Sequence, residues 1–301
     1  MNTMQYASVF MTELDKQLVE KSTTGWMEEN AKQVQYNGGA EVKIPKMTMS
    51  GLGDYDRNSG FAKGAVAVTY ETRTLTQDRG RTFQVDAMDV DETNFAATAG
   101  AVMREFQSTK VIPEIDAYRY SKIYELAEAA GKTKAYTPAA DSIFEALMND
   151  ITAVRDAAGE CTEIVVAMGA KVAGMLDLAK GGTNVLQSGF FSQGKAEIKV
   201  KEIDGCPIIR VPSVRFKTGY VFMDGVEQEE GGFTAAEGAK DINWIVMAKE
   251  APVAISKTDV TRIFDPMTNQ NANAWKIDYR KYHDLWIMDN GMDGVMVSVS
   301  E

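Results

Sequence analysis

Hydrophobic residues recur on two different periods along this chain, and the changes of period mark its elements. From Met4 to Glu29, Phe10, Leu14, Leu18 and Val19 fall at helical spacing, and the helix they predict ends at the Thr23-Thr24-Gly25 break. Between Gly38 and Thr93 the period becomes two, with Val42 and Ile44, then Val66, Val68 and Tyr70 on alternate positions, which predicts strands. Ser50 to Gly64 separates them and reads as a loop tip, rich in Gly, Asn and Asp. A second turn is predicted at Gln77 to Gly80, reversing the chain into Phe83, Val85 and Ala87.

Helical spacing returns from Asn94 to Ala130, where Phe95, Ala99, Val102 and Phe106 precede Pro113, and Ile115, Ile123 and Leu126 follow it. If Pro113 only kinks this rod, it is roughly 50 Å long at about 1.5 Å per residue. Thr137-Pro138 predicts an N-cap and first helical residue, followed by the apolar face Ile143, Leu147, Ile151 and Val154 up to Gly159. Glu163 to Met168 reads as a buried strand. Ala170 to Ala179 reads as a helix closed by Gly181-Gly182. Strands are then predicted at Ala196–Ile203, Pro207–Val211, Tyr220–Met223, Ile242–Met247, Val253–Ile255, Trp275–Tyr282 and Val295–Val299. This order predicts an α+β protein with mixed sheets, because strands and helices do not alternate as in a doubly wound sheet.

The 301 residues suffice for one large or two small cores, and the 45% hydrophobic and 25% charged content is that of a globular chain. No apolar run approaches the roughly 20 residues a membrane span needs. Nor does Met1 to Phe10 carry a basic segment before an apolar one, so an intracellular protein is expected. Cys161 and Cys206 lack partners at metal-binding spacing and are expected to be free thiols. A formal charge of -11 argues against a surface that grips nucleic acid all over, since phosphate neutralisation needs excess Lys and Arg. It is compatible with a container for nucleic acid, because acidic subunits stay soluble at high concentration.

Candidate chemistry is thin. The single histidine, His283, adjoins Asp284 in a strand-like run where neighbouring side chains point to opposite faces, so a structural role is expected. Asp54, Asp56 and Asn58 imitate the start of a calcium loop. Ser59 stands where that loop needs glycine, however, and Ala65 where it needs a bidentate carboxylate. Gly51-Leu52-Gly53 and Lys180-Gly181-Gly182-Thr183 are too short for phosphate loops. Asp224, Glu227, Glu229, Glu230, Glu237 and Asp241 form an acidic stretch interrupted by Gly231, Gly232 and Gly238, the pattern of a solvated loop. The 17 methionines are spread along the chain as gap-fillers, and Trp244, Trp275 and Trp286 read as core or interface anchors. No catalytic, cofactor or metal site is therefore expected. The positive signal is the hairpin from Glu41 to about Met88, whose strands have too little of their own subunit to bury both faces. Val66, Val68 and Tyr70 would be an aggregation hazard unless another copy covered them.

The run DRNSGFAKGAVAVTYETRTLTQDRGRTFQVDAMDVDET and the helix ending VIPEIDAYRYSKI resemble major capsid proteins of tailed bacteriophages with the Hong Kong 97-type (HK97-like) fold. IDGCPIIRVPS, INWIVMAKEAPVAI and WKIDYRKYHDLWIMDNGMDGVMVSV are similar in order and spacing to the later strands of that family. The resemblance implies an N-terminal arm (1–37), an extended loop (38–93), a peripheral domain with a spine helix (94–136 and 251–301) and an axial domain (137–250). It implies pentamers and hexamers closing an icosahedral head around double-stranded DNA bound without sequence readout, with portal and scaffold proteins as partners. It also implies a virion location after assembly in the bacterial host cytoplasm. A subunit interface at Leu52, Tyr55, Arg57, Phe61, Val66, Val68 and Tyr70 of the extended loop is expected. The chain opens directly on the arm, so a fused scaffolding segment is not expected and a separate scaffold is. Some relatives crosslink a loop Lys to a peripheral Asn, for which Lys63 and Asn269, Asn271 or Asn273 are formally available. An encapsulin-like nanocompartment shell is the nearest alternative. A cytosolic enzyme using the acidic loop 223–241, or Asp284 with His283, is the remote one.

Overall fold

The structure, a computed structural model, describes residues 22–33, 35–36, 41–57, 60–86, 102–159, 162–179, 186–193, 196–269 and 272–301. At its centre lies a mixed sheet of seven strands. In chain order these are β5 (Thr133–Ala135), β6 (Ile164–Gly169), β7 (Gln187–Gln193), β8 (Ala196–Ile203), β9 (Cys206–Val211), β12 (Ile242–Ala248) and β15 (Val295–Val299), laid side by side as β5-β15-β12-β6-β9-β8-β7. β5 with β15 and β6 with β9 are parallel, and the other pairs antiparallel. Every residue of β6 and β12 is buried, which the near-continuous apolar runs IVVAMG and INWIVMA require of strands covered on both faces.

The period of two sorts these strands between two cores. Ile164, Val166, Met168, Trp244 and Val246 face α2 (Ile143–Ala158) and α3 (Ala170–Leu178), whose Leu147, Ile151, Val172 and Leu176 fill that side. Val165, Ala167, Ile245 and Met247 face the other side, against Tyr120, Ile123 and Ala127 of the long helix α1 (Ile112–Ala129) and against Trp26 and Met27. Those two belong to Gly25–Gln33, a 3₁₀ segment.

A second sheet of three long strands, ordered β13-β14-β4, joins β13 (Pro252–Phe264), β14 (Ala274–Ile287) and β4 (Gln77–Asp86). Met103, Val111 and Ile115 pack on its Ile277 and Tyr279. The extended hairpin is a third sheet, ordered β1-β2-β3, of β1 (Gln35–Tyr36), β2 (Glu41–Met49) and β3 (Val66–Thr74). A two-stranded flap, β10 (Tyr220–Met223) and β11 (Gly232–Ala235), completes the α+β architecture.

Several expectations are corrected. Gln77 to Gly80 is no turn but the start of β4, paired to His283 through Arg280 of β14. Gly80 serves close approach, since a Cβ there would sit 2.7 Å from the Tyr279 carbonyl oxygen. α2 begins at Ile143 with Ser142 at its N-cap, not at Thr137-Pro138. There the Tyr136 N–H bonds the Val299 carbonyl, so the chain is still leaving β5. Val253–Ile255 and Trp275–Tyr282 are only parts of strands of 13 and 14 residues. Pro113 does not interrupt the rod: helix runs from 102 to 129, and the turn before the proline, Gln107–Val111, is π-helical. A wider turn accommodates the missing N–H and the ring that would otherwise strike the carbonyl four residues back. Of the predicted first helix, residues up to Lys21 lie outside the described residues, as do Phe95, Ala99, Cys161 and Gly181-Gly182. Cys206 is a buried free thiol.

Candidate intersubunit surface

The hairpin is buried at its root and bare at its end. β2 and β3 pair in unbroken antiparallel register from Glu41 with Thr74 to Met49 with Val66, and nine residues at about 3.3 Å each give an arm of roughly 30 Å. At the root, Val42, Ile44 and Leu75 share a cluster with Val253, Ile255 and Trp286. Beyond it none of the described residues covers β3, every residue of which is exposed. The register puts Val66, Val68 and Tyr70 on the same face as Met49, the opposite face from Val42 and Ile44, and all four are open to solvent. At the tip Leu52, Arg57 and Phe61 are exposed, Phe61 at 86%, and the Tyr55 and Phe61 rings lean on each other at 5.0 Å. Ser50 Oγ accepts the Ala65 N–H at 2.9 Å and closes the loop's base. The structure thus brings all seven expected interface residues onto one exposed projection. Each large apolar side chain there would contribute roughly 1.5 to 3 kcal/mol if fully buried.

Buried polar networks add to the apolar contacts where the 22–33 segment and the hairpin's exit meet the body, and most of them were not foreseen. Asp116 of α1 is fully buried and accepts the Ser22, Thr23 and Thr24 hydroxyls at 2.9, 2.9 and 2.6 Å, the Thr23 and Thr24 amides, and Arg215 at 2.8 Å. A buried carboxylate persists only when so satisfied. One helical turn on, Arg119 donates to the Thr24 carbonyl at 3.1 Å and to Glu28 at 2.5 Å, and Lys281 of β14 bridges Glu28 and Asp259. Burial alone would raise the Glu28 carboxyl, but the Lys281 and Arg119 charges outweigh it and hold the group well below the usual carboxylate range. Asp284 accepts the Thr76 amide and hydroxyl, both at 2.9 Å, and the Tyr118 hydroxyl at 2.6 Å. It thereby pins the point where the chain leaves the hairpin for β4. His283 is buried with the Tyr118 ring edge-on at 5.5 Å. Burial, then the Arg119 and Lys281 cations, push its imidazole well below the ordinary histidine value. Asp284 and His283 are thus both buried within the body. The Ser22-Thr23-Thr24 triplet was the sequence signal for the Asp116 site, because hydroxyl residues in series are donors seeking an acceptor.

The acidic stretch forms the tip of the flap. Asp224, Glu227, Glu229 and Glu230 are exposed, and Asp224 accepts the Val226 and Glu227 amides of its own turn. Arg79 of β4 clamps both strands of the flap where they meet its tip loop, donating to the carbonyls of the paired Met223 and Gly232, and also to Glu114 of α1. Among the described residues no group of His, Cys, Asp or Glu could hold a metal ion, and no helix is long and apolar enough to cross a membrane. Asn58 and Asn271 lie outside the described residues, and Asn269 donates to the Ala274 carbonyl.

Compared with known proteins, the chain matches no family model and no curated sequence. Solved structures do match. The mature capsid of bacteriophage PhiM1 agrees with a TM-score of 0.57 at 14% identity, over 88% of this chain and 83% of that one. Mycobacterium phage Ogopogo gives 0.55 at 11% over 91% of both, and the capsid of cyanophage P-SCSP1u 0.52 at 10% over 87% and 84%. At such identities the agreement is one of fold. This chain has the fold of phage capsids, the Hong Kong 97-type fold.

Proposed function

We propose that the chain is the major capsid protein of a tailed bacteriophage, a structural subunit without catalytic activity that assembles as pentamers and hexamers into an icosahedral head. The observation that carries this reading is the hairpin: some 30 Å of strand pair, apolar on one face and rooted on a body with a phage-capsid fold, has no cover among the described residues. A monomer does not keep such a surface without use. Repeated at every subunit, it supplies the contacts that close a shell. The head would enclose double-stranded DNA through few, salt-sensitive contacts, as a chain of net charge -11 without a stacking platform suggests. Portal and scaffold proteins would be its other partners, with assembly in the bacterial host cytoplasm and residence in the virion.

Light scattering and electron microscopy of concentrated protein, with and without the scaffold, test the proposal. Rings, tubes or shells of megadalton mass are expected. A stable species near the 33.0 kDa of one chain under all conditions would overturn it.

A further inference from the structure

The seven-stranded sheet is covered unevenly on its α2 and α3 side. α2 lies over β12 and β15 towards one edge, and α3 over β6 and β9 in the middle. β8 and β7 form the opposite edge. Their alternate residues Phe191 and Val200 turn into the core on the long-helix side, so Phe190, paired with Lys199, and Ser188, paired with Lys201, face the α3 side. Among the described residues no helix covers that end. Phe190 is 71% and Leu178 84% exposed. α3 adds an outward stripe at helical spacing, Lys171, Met175 and Leu178, all exposed. Asp177 bonds Lys201 and Arg210, both at 2.7 Å, and fastens α3 to β8 and β9. The result is a shelf of three apolar side chains in which the Lys171 and Lys199 cations have no ion-pair partner among the described residues.

The outer stripe of α2, at the other edge of the same sheet, has the complementary character. Glu145, Asn149, Thr152 and Asp156 are exposed along it, with Asp141 just before the helix. Among the described residues Asp141, Glu145 and Asp156 have no ion-pair cation, whereas the neighbouring Arg155 is taken by Asp204 and Asp150 is held by Lys134 and Trp244. Unpaired anions and small polar residues at one edge thus stand opposite unpaired cations and an uncovered apolar shelf at the other. Two different patches that fit each other, one at each edge of a layer, make a head-to-tail contact, the kind that closes rings.

We infer that the shelf formed by Lys171, Met175, Leu178, Phe190 and Lys199 receives the acidic α2 stripe of a second copy of this chain. The inference rests on the shell reading and names one contact within the ring. It is a contact apart from the hairpin, so the two surfaces can be lost separately.

Charge reversal with compensation tests it in the full chain. One variant carries Glu145→Lys and Asp156→Lys, a second Lys171→Glu and Lys199→Glu, and a third all four. All these residues are exposed, and circular dichroism confirms that each variant folds. Each two-residue variant should lower the yield of closed shells by about tenfold or more, and the four-residue variant should restore it to within about threefold of the parent, because like charges facing each other cost several kcal/mol that reversal of both sides removes. Should a reversal impair folding, the neutral pair Glu145→Gln with Asp156→Asn replaces it, with loss of the salt dependence of assembly as the expected result. Shells at parental yield from both two-residue variants, or no recovery in the four-residue variant, overturn the inference while leaving the shell proposal intact. Absence of shells from the parent chain overturns the shell proposal instead.

Discussion

Leu147 and His283 show how differently single residues hold this molecule. Leu147 is 0% exposed between α2 and the sheet, among Ile143, Ile151 and Trp244, so Leu147→Ala removes apolar contact and leaves a cavity that the strands cannot close. A loss of roughly 2 to 5 kcal/mol is expected. A urea titration of the dissociated subunit measures it, and an unchanged midpoint would show that Leu147 is not core. His283 acts through its proton. Its folded-state pKa lies well below 6.5, so between those two values the unfolded chain binds a proton that the folded chain does not, and stability falls as pH drops below about 6.5. Glu28 adds to the fall below 4.5, where its unfolded carboxyl protonates while the folded one still holds Lys281 and Arg119. Both signs agree: the subunit loses stability on acidification and gains none. His283→Gln should flatten the upper part of that profile and leave the lower part. An identical slope between pH 6.5 and 4.5 in that variant would assign the acid sensitivity to other groups.

Among the elements, those with a self-contained period were legible in the sequence. α2 shows its buried face as Ile143, Leu147, Ile151 and Val154, and β6 and β12 announce themselves as short apolar runs. β13 was read too short because its outer half mixes exposed and half-buried residues, and β14 because the polar pair His283 and Asp284 breaks the apolar pattern although every residue from there to Ile287 is buried. β5 and β7 have little apolar pattern and exist as the edges of a sheet built by other strands, and β11 exists only as the partner of β10. The false turn at Gln77–Gly80 came from reading glycine as a reversal, when its physical role is to let β4 and β14 approach. The exposed residues of the hairpin were visible as an apolar alternation with no room to be buried. The Asp116 and Glu28 networks were not, because they join residues more than 90 positions apart. Gly80→Ala tests the corrected role. The added methyl meets the Tyr279 carbonyl at 2.7 Å and must part the strands, at a cost of about 1 to 3 kcal/mol. A turn glycine away from backbone would cost far less, so a neutral substitution in a thermal melt would restore the turn reading.

For the whole molecule, the decisive separation is between folding and assembly, and the hairpin allows it to be made with one deletion. The root residues Val42, Ile44 and Leu75 belong to the body, while none of the described residues from Met49 through Val66 joins either core of the seven-stranded sheet. Removing Gly51 to Lys63 and joining Ser50 to Gly64 leaves the Met49 and Val66 pair intact, with Ser50, Gly64 and Ala65 to make the turn. What is lost is Leu52, Tyr55, Arg57 and Phe61, the part of the projection that reaches furthest from its own subunit. In one copy this is modest, on the order of 1.5 to 3 kcal/mol for each large apolar side chain that a neighbour would bury. In a closed shell the same loss recurs at every subunit, and closure, which needs all contacts at once, fails where a single pair would only weaken. The deletion variant should therefore melt as the parent subunit does, show the same circular dichroism, and stop at small oligomers under conditions in which the parent closes shells. Normal shells from the variant would refute docking by the tip and shift the burden of assembly to the faces of the body. An unfolded variant would place the tip inside the subunit's own stability, a result at odds with the exposure of every residue along β3.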